Sequence, residues 1–147
     1  MLTKPIDILL VEDNRDHILL TKQALADQGL TNRIYVAEDG QEALDYLYRK
    51  GKYASSTEAP RPGLILLDIR LPKIDGLEVL RVVKSDPDLK TIPVVMLTTS
   101  TQEEEVLRSY QDGANSYITK PVNFAEFVER VQALKLYWLL VNRLPEY

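Results

Sequence analysis

Hydrophobic residues along the chain fall into five short runs, and amphipathic segments separate these runs. The runs are of strand length, and they occupy residues 6–11, 33–38, 64–67, 92–97 and 116–119. The other segments place apolar residues at helical spacing, over residues 16–28, 39–51, 75–86, 101–113 and 123–143. Continuous apolar runs of this length are typical of strands that are buried on both faces of a parallel sheet.

The alternation of strand and helix predicts an α/β fold. Such a pattern places helices on both faces of a parallel sheet, and right-handed crossovers leave few possible topologies. The doubly wound, flavodoxin-like order 2-1-3-4-5 fits a five-stranded chain of this length. In that order the ligand site lies at the carboxyl ends of strands 1 and 3, where Glu12, Asp13 and Asp68 occur.

Polar residues mark the starts of the predicted helices. An Asp, Asn or Thr followed three residues later by Glu forms a capping box, which satisfies free N–H groups in the first helical turn. Four such pairs occur, and they are Asp39 with Glu42, Asp75 with Glu78, Thr101 with Glu104, and Asn123 with Glu126. Helix ends are predicted at Gly29, Gly51, Asp86 and Gly113.

The composition is that of one globular domain. With 147 residues, 45% hydrophobic and 27% charged, the chain has the size and the apolar content for one core. A net charge of −4 argues against a general nucleic-acid binder, and the absence of Cys excludes disulfides and thiolate metal sites. We expect a cytoplasmic protein with no membrane segment, because no signal-peptide pattern and no run of about 20 apolar residues occurs.

Three carboxylates meet at the predicted site. Glu12 and Asp13 follow the first strand, and Asp68 follows the third. Carboxylates that lie this close repel one another and raise one another's pKa unless a cation is present. Oxygen ligands, without Cys or a suitably placed His, favour Mg²⁺ over Zn²⁺. The sequence therefore predicts a Mg²⁺ site at this edge of the sheet.

A hydroxyl and an amine complete the chemistry at the strand ends. Thr98 ends the fourth strand and Lys120 follows the fifth. A phosphoryl group at this edge would find a carboxylate nucleophile in Asp68, as in aspartyl-phosphate enzymes. The metal and Lys120 would neutralise its oxygens and Thr98 would hydrogen-bond one of them, which is most of what phosphoryl transfer requires.

Four motifs carry a resemblance to a known family. VEDN at 11–14, LLDIRLPKIDG at 66–76, LTTS at 97–100 and YITKP at 117–121 resemble the receiver domain of two-component response regulators. The resemblance covers about residues 5–135, and the motifs have the order and spacing of that family. It implies a signalling domain that is not an enzyme.

The resemblance also implies roles for individual residues. Asp68 corresponds to the phosphoacceptor. Glu12 and Asp13 correspond to the Mg²⁺-binding acid pair, and the backbone carbonyl of Arg70 corresponds to a further metal ligand. The Arg70 side chain has two possible interpretations, a solvated surface charge or a group that controls the access of water to the site.

Further roles concern the response to phosphorylation. Thr98 and Lys120 correspond to the residues that contact the phosphoryl group, and Tyr117 corresponds to an aromatic switch residue that turns inward. The family also implies a cis peptide bond between Lys120 and Pro121. His17, the only histidine, is predicted to be a solvated surface residue without a ligand set around it.

The C-terminal segment is more apolar than one helix face requires. Residues 136–141 are apolar or aromatic without a break, and exposed patches of this kind usually mark interfaces. We predict a receiver domain over residues 5–135 and a dimerisation extension over 136–147. The homodimer would use the fourth and fifth predicted helices, the fifth strand and the extension. The alternative is that the tail folds back on its own sheet.

The resemblance also indicates the partners. The phosphodonor would be a histidine kinase, and the output would be a protein contact or the return of phosphate along a relay, since no output domain follows residue 145. The loop over residues 51–63 and the Tyr- and Trp-containing tail resemble stand-alone regulators that are paired with bacterial phytochrome kinases. That narrower resemblance implies a light-sensing kinase as the donor.

Other functions are compatible with parts of the pattern. A phosphatase of the haloacid dehalogenase type also uses an aspartate at a strand end, but it needs a second acid where this chain has Arg70. A flavodoxin-like cofactor binder needs a phosphate loop after strand 1, where the acidic EDNRD segment would repel phosphate. A pseudo-receiver that only docks a partner is the non-chemical alternative.

Overall fold

A computed structural model describes residues 6–26, 32–55, 59–100, 102–103 and 116–133 of the chain. Five parallel strands form one sheet in the order β2-β1-β3-β4-β5, which confirms the predicted doubly wound topology. The strands are β1 (Ile8–Val11), β2 (Ile34–Ala37), β3 (Leu64–Asp68), β4 (Val94–Thr98) and β5 (Ser116–Thr119).

Four α-helices are described. They are α1 (Arg15–Ala26), α2 (Gly40–Tyr48), α3 (Gly76–Ser85) and α4 (Phe124–Ala133), and a short 3₁₀ turn (Gly51–Tyr53) follows α2. Of the helix predicted over residues 101–113, only Gln102 and Glu103 are described, and both are helical. The predicted C-terminal extension lies outside the described residues. None of the helices described is both long enough and apolar enough to cross a bilayer.

The sheet separates two hydrophobic clusters. Alternate residues of β1, β3 and β4 point to opposite faces, so each strand contributes to both clusters. Helices α2 and α3 cover one face through residues such as Tyr46 and Leu80, and α1 and α4 cover the other through Leu25 and Phe127. Burial on both faces explains why these strands are continuously apolar.

Two of the predicted capping pairs are found as helix caps, and one prediction is wrong. The Asp39 carboxylate accepts from the N–H of Glu42 at 2.7 Å, and the side-chain oxygen of Asn123 accepts from the N–H of Glu126 at 2.8 Å. Asp75 stands at the start of α3 in the extended conformation of an N-cap, but its side chain makes no cap bond. The remaining pair, Thr101 with Glu104, lies outside the described residues.

The end of α2 also differs from the prediction. The helix ends at Tyr48 rather than at Gly51, because Arg49 adopts a left-handed conformation with φ 55°. The N–H groups of Arg49 and Lys50 then bond to the carbonyls of Tyr46 and Asp45, which closes the last turn. Gly51 has φ +57° and begins the 3₁₀ turn instead.

The loop that follows β3 is held against two glycines. A Cβ atom on Gly76 would lie 2.1 Å from the carbonyl oxygen of Asp68, and one on Gly40 would lie 1.9 Å from that of Ile74. The N–H of Gly40 donates to the carbonyl of Pro72 at 3.2 Å. Only glycine permits these approaches, so α2 and α3 together fix the path of the chain beyond Asp68.

Candidate functional site

Asp68 is the last residue of β3, and its side chain is buried. Only 5% of the residue is exposed. Its Oδ1 accepts from the backbone N–H of Arg70 at 3.2 Å, and its Oδ2 accepts from the Lys120 ammonium at 2.9 Å. The predicted phosphoacceptor is therefore a carboxylate held at both oxygens, at the carboxyl edge of the sheet.

An acidic group surrounds this carboxylate. Glu12 follows β1 and is 1% exposed, while Asp13 is exposed. Glu12, Asp13 and Asp68 each offer a carboxylate oxygen, and these three oxygens lie within 4.8 Å of one another. Hard oxygen ligands at this spacing fit Mg²⁺ or a similar divalent cation, as the sequence predicted.

Lys120 supplies the positive charge of the site. Its Nζ lies 2.9 Å from Glu12 Oε1 and 2.9 Å from Asp68 Oδ2, and only 7% of the side chain is exposed. Burial by itself would lower the pKa of Lys120, but these two carboxylates raise it above its ordinary value. The Lys120–Pro121 peptide bond is cis, as the resemblance implied.

The pKa of Asp68 reflects its burial. Burial raises the pKa of Asp68 to about 6; the hydrogen bond from Lys120 opposes this rise, and the neighbouring Glu12 adds to it. Since burial and Glu12 disfavour the charged form of Asp68, a divalent cation bound beside it would favour its ionisation.

The hydroxyl of Thr98 is buried without a hydrogen-bond partner in the part of the chain that the structure describes. Thr98 ends β4, next to the strand that carries Asp68, whose register partner is Leu97. The carbonyl of Thr98 accepts from the N–H of Lys120 at 2.7 Å. Buried polar atoms are rarely unpaired, so this hydroxyl fits a group that bonds to a ligand.

His17 corrects the sequence analysis. Its Nδ1 lies 3.2 Å from Lys120 Nζ and 3.9 Å from Glu12 Oε1, and 40% of the side chain is exposed. It stands at the rim of the site rather than as an isolated surface residue. The helix predicted over residues 16–28 includes His17. The pattern of residues along one helix could not show that Lys120, more than 100 residues further along the chain, lies beside it.

The Arg70 side chain is 81% exposed, but it is paired with Glu103. Its Nε donates to Glu103 Oε2 at 2.6 Å, and the other oxygen of Glu103 accepts from the N–H of Thr99 at 2.8 Å. Glu103 was missed because the capping box was assigned to Thr101 and Glu104. A sequence signal was present, because Ser100 and Glu103 have the spacing of a capping pair. In the structure the Ser100 hydroxyl accepts from the N–H of Glu103 at 3.2 Å.

Tyr117 lies on β5, one strand beyond Thr98. It is half-buried against the cluster that contains α2 and α3. The Arg130 guanidinium of α4 lies 5.4 Å from the centre of its ring, a cation–π distance. Tyr117 therefore connects β5 with α4, and its role as a switch stays a prediction.

Without a bound cation, the stability gain from Asp68→Asn should grow with pH. Because the pKa of Asp68 is about 6 in the folded protein, above its ordinary value of 3.8, the stability that its protonated form contributes is complete below about pH 4 and is lost as pH rises through 6. At pH 8 the free energy of unfolding of Asp68→Asn should exceed that of the wild type by on the order of 2–3 kcal/mol. Urea unfolding in EDTA at pH 4.5 and 8 measures it. A pH-independent difference between the two proteins would contradict this expectation, and added Mg²⁺ should reduce it.

The order of the strands and the residues at the carboxyl edge of the sheet are those of a receiver domain. The family model described as the response regulator receiver domain matches residues 8–132, and the chain belongs to this family. The predicted resemblance is therefore confirmed.

Individual relatives cover nearly the whole chain. FilR2 of Methanothrix harundinacea, a probable methanogenesis regulatory protein, is 44% identical over 96% of this chain and 88% of its own length. The response regulator Rcp1 of Synechocystis sp. is 43% identical over 96% of this chain and 94% of its own. Both sequence identities are higher than a shared fold alone would require.

Solved structures agree with the fold. The bacteriophytochrome response regulator AtBRR has a TM-score of 0.86 and 46% identity, covering 92% of this chain and 96% of that one. The Mn²⁺-bound form of Rcp1 has a TM-score of 0.72 and 42% identity, covering 97% of this chain and all of that one. The acidic group described above is compatible with the divalent-cation pocket of receiver domains.

Proposed function

We propose that this protein is a response regulator that accepts a phosphoryl group on Asp68 from a histidine kinase. Glu12, Asp13, Asp68 and the carbonyl of Arg70 would hold Mg²⁺. The observation that supports the proposal is that the buried Asp68 carboxylate lies beside Glu12 and Asp13. Its Oδ2 is 2.9 Å from Lys120 Nζ. The bound cation would supply neutralisation of the charge on the phosphoryl oxygens.

The residues of this chain divide the work of the transfer. An Asp68 oxygen attacks phosphorus and forms a P–O bond, and the P–N bond to the kinase histidine breaks, so the electron pair leaves with the imidazole. Lys120 is already within bonding distance of Asp68 and would stabilise negative charge on the phosphoryl group. Thr98 would offer its unpaired hydroxyl to a phosphoryl oxygen.

The output would be a changed protein-interaction face. A phosphoryl group adds negative charge and acceptor oxygens at the end of β3, which favours movement of Thr98 toward them. Tyr117 would then turn inward and leave Arg130, which it contacts at 5.4 Å. The signal would thereby reach β5 and α4. A phosphorelay intermediate, which passes the group on, uses the same acceptor and is the second candidate.

A phytochrome kinase is our proposed donor. AtBRR is a bacteriophytochrome response regulator at 46% identity, and this supports the assignment. We also propose the receiver over residues 5–135 and a homodimer through the helix predicted at 101–113, β5, α4 and the extension at 136–147.

Incubation with acetyl phosphate and Mg²⁺ should add one labile phosphoryl group to each chain. The physical reason is that the acceptor, the cation ligands and the amine are assembled in one protein, so a small donor suffices. Intact-mass spectrometry measures the added group, and EDTA should prevent its addition. Continuous release of phosphate without an accumulated adduct would indicate a phosphatase, and an unchanged mass would indicate a docking module.

A further inference from the structure

Glu103 is a buried carboxylate with three hydrogen-bond donors. Its Oε2 accepts from Arg70 Nε at 2.6 Å, and its Oε1 accepts from the Thr99 N–H at 2.8 Å and from the Thr99 hydroxyl at 3.2 Å. Its side chain is 6% exposed, whereas that of Arg70 is 81% exposed. Glu103 is therefore the buried member of the pair, and Arg70 is the exposed one.

Arg70 also contacts the phosphorylation site through its backbone. Its N–H donates to Asp68 Oδ1 at 3.2 Å, so its Cα atom lies within about 5 Å of that oxygen. A cleft of about 360 Å³ lies beside the side chain, and it is lined by Ile69, Arg70, Asp75, Leu77, Gln102 and Glu103. The guanidinium therefore has both the reach and the space to leave Glu103 for a phosphoryl oxygen.

We propose that Glu103 competes with the phosphoryl group on Asp68 for the guanidinium of Arg70. Glu103 is then a positioning residue that lowers the affinity of the site for a phosphoryl-like anion. This inference rests on the proposed function of Asp68. No covalent bond changes in the exchange, because one ion pair is broken and another is formed.

The hydrogen bonds of Glu103 make the exchange feasible. When Arg70 leaves, the Thr99 N–H still satisfies one oxygen of the buried carboxylate. Arginine favours phosphate as a partner because its planar fork matches phosphate oxygens in a bidentate arrangement. The freed Oε2 faces the open cleft, where water can replace the lost donor.

The variant Glu103→Gln isolates the arginine contact. The single oxygen of Gln must face the Thr99 N–H, which can only donate, so its NH₂ group faces Arg70 Nε. Two donors then meet, and the Arg70 contact is lost while the Thr99 contact is kept. Arg70→Met removes the same contact from the other side and leaves the backbone N–H in place.

Beryllofluoride with Mg²⁺ is the probe, and isothermal titration calorimetry gives its dissociation constant. Glu103→Gln should bind the anion about three- to fivefold more tightly than the wild type, because Arg70 is released to the site. Arg70→Met should bind it more weakly. In the Arg70→Met background, Glu103→Gln should change nothing, a dependence that a merely structural role would not produce.

Asp75→Asn is the matched control, since this exposed carboxylate lines the same cleft. An equal effect of Asp75→Asn would show that net charge alone acts, and it would overturn the competition. An unchanged or weaker affinity of Glu103→Gln, or the same change without Arg70, would also overturn it. Failure of the wild type to bind beryllofluoride with Mg²⁺ would instead reject the proposed function, and this inference with it.

Discussion

Asp68→Asn should abolish the uptake of a phosphoryl group from acetyl phosphate. The amide is neutral and a poor nucleophile, so it cannot form the acyl phosphate that a carboxylate forms. The fold should survive, because the side chain keeps its size and the Lys120 ammonium keeps Glu12 at 2.9 Å. Intact-mass spectrometry with Mg²⁺ present measures the result, and we expect the wild type to gain one phosphoryl group and the variant to gain none.

The control for this experiment is Asp75→Asn, the same chemical change at the other end of the segment that joins β3 to α3. Asp75 is exposed and its side chain makes no cap bond, so its loss should leave phosphoryl uptake intact. Stoichiometric labelling of the Asp68→Asn protein would mean that another residue is the acceptor. Loss of uptake in both variants would mean that the loop as a whole, rather than one carboxylate, had been disturbed.

The sheet and its site were predictable because burial dictates both. A strand that is covered on two faces must be apolar throughout, so runs such as 64–67 identify parallel strands without any knowledge of their neighbours. A charged residue directly after such a run, such as Asp68, is costly unless it is paired, which makes it stand out. The topology then brings Glu12 and Asp68 to one edge.

Contacts between elements that are distant in the sequence were not predictable in the same way. The pairing of Arg70 with Glu103 joins the loop after β3 to a helical residue beyond β4, and neither residue carries a periodic signal that would bring them together. His17 meets Lys120 across more than 100 positions of the chain. At the end of α2, Arg49 takes the left-handed position that glycine usually takes, and its Nε donates to the carbonyl of Ala59 at 3.2 Å. Tertiary contacts decided each of these details.

Gly76→Ala should cause a large loss of stability. The added Cβ would lie 2.1 Å from the carbonyl oxygen of Asp68 and 2.8 Å from that of Ile69, and both are backbone atoms that no rotamer change can move. Relief requires a shift of the end of β3 or the start of α3, at a cost of about 3 kcal/mol or more. The same shift would displace the Asp68 carboxylate from Lys120, so phosphoryl uptake should also slow. Urea unfolding and intact-mass kinetics measure the two effects.

Gly51→Ala separates steric conflict from backbone strain. Gly51 has φ +57°, but the nearest atom to an added Cβ is a side-chain oxygen of Asp45 at 3.8 Å, which is ordinary contact. An alanine there costs only the left-handed conformation, about 1 kcal/mol, and lies far from the acceptor in the chain. Uptake should therefore be normal in Gly51→Ala. Equal destabilisation of the two variants would contradict the expectation that the steric conflict at Gly76 costs more than the left-handed conformation at Gly51.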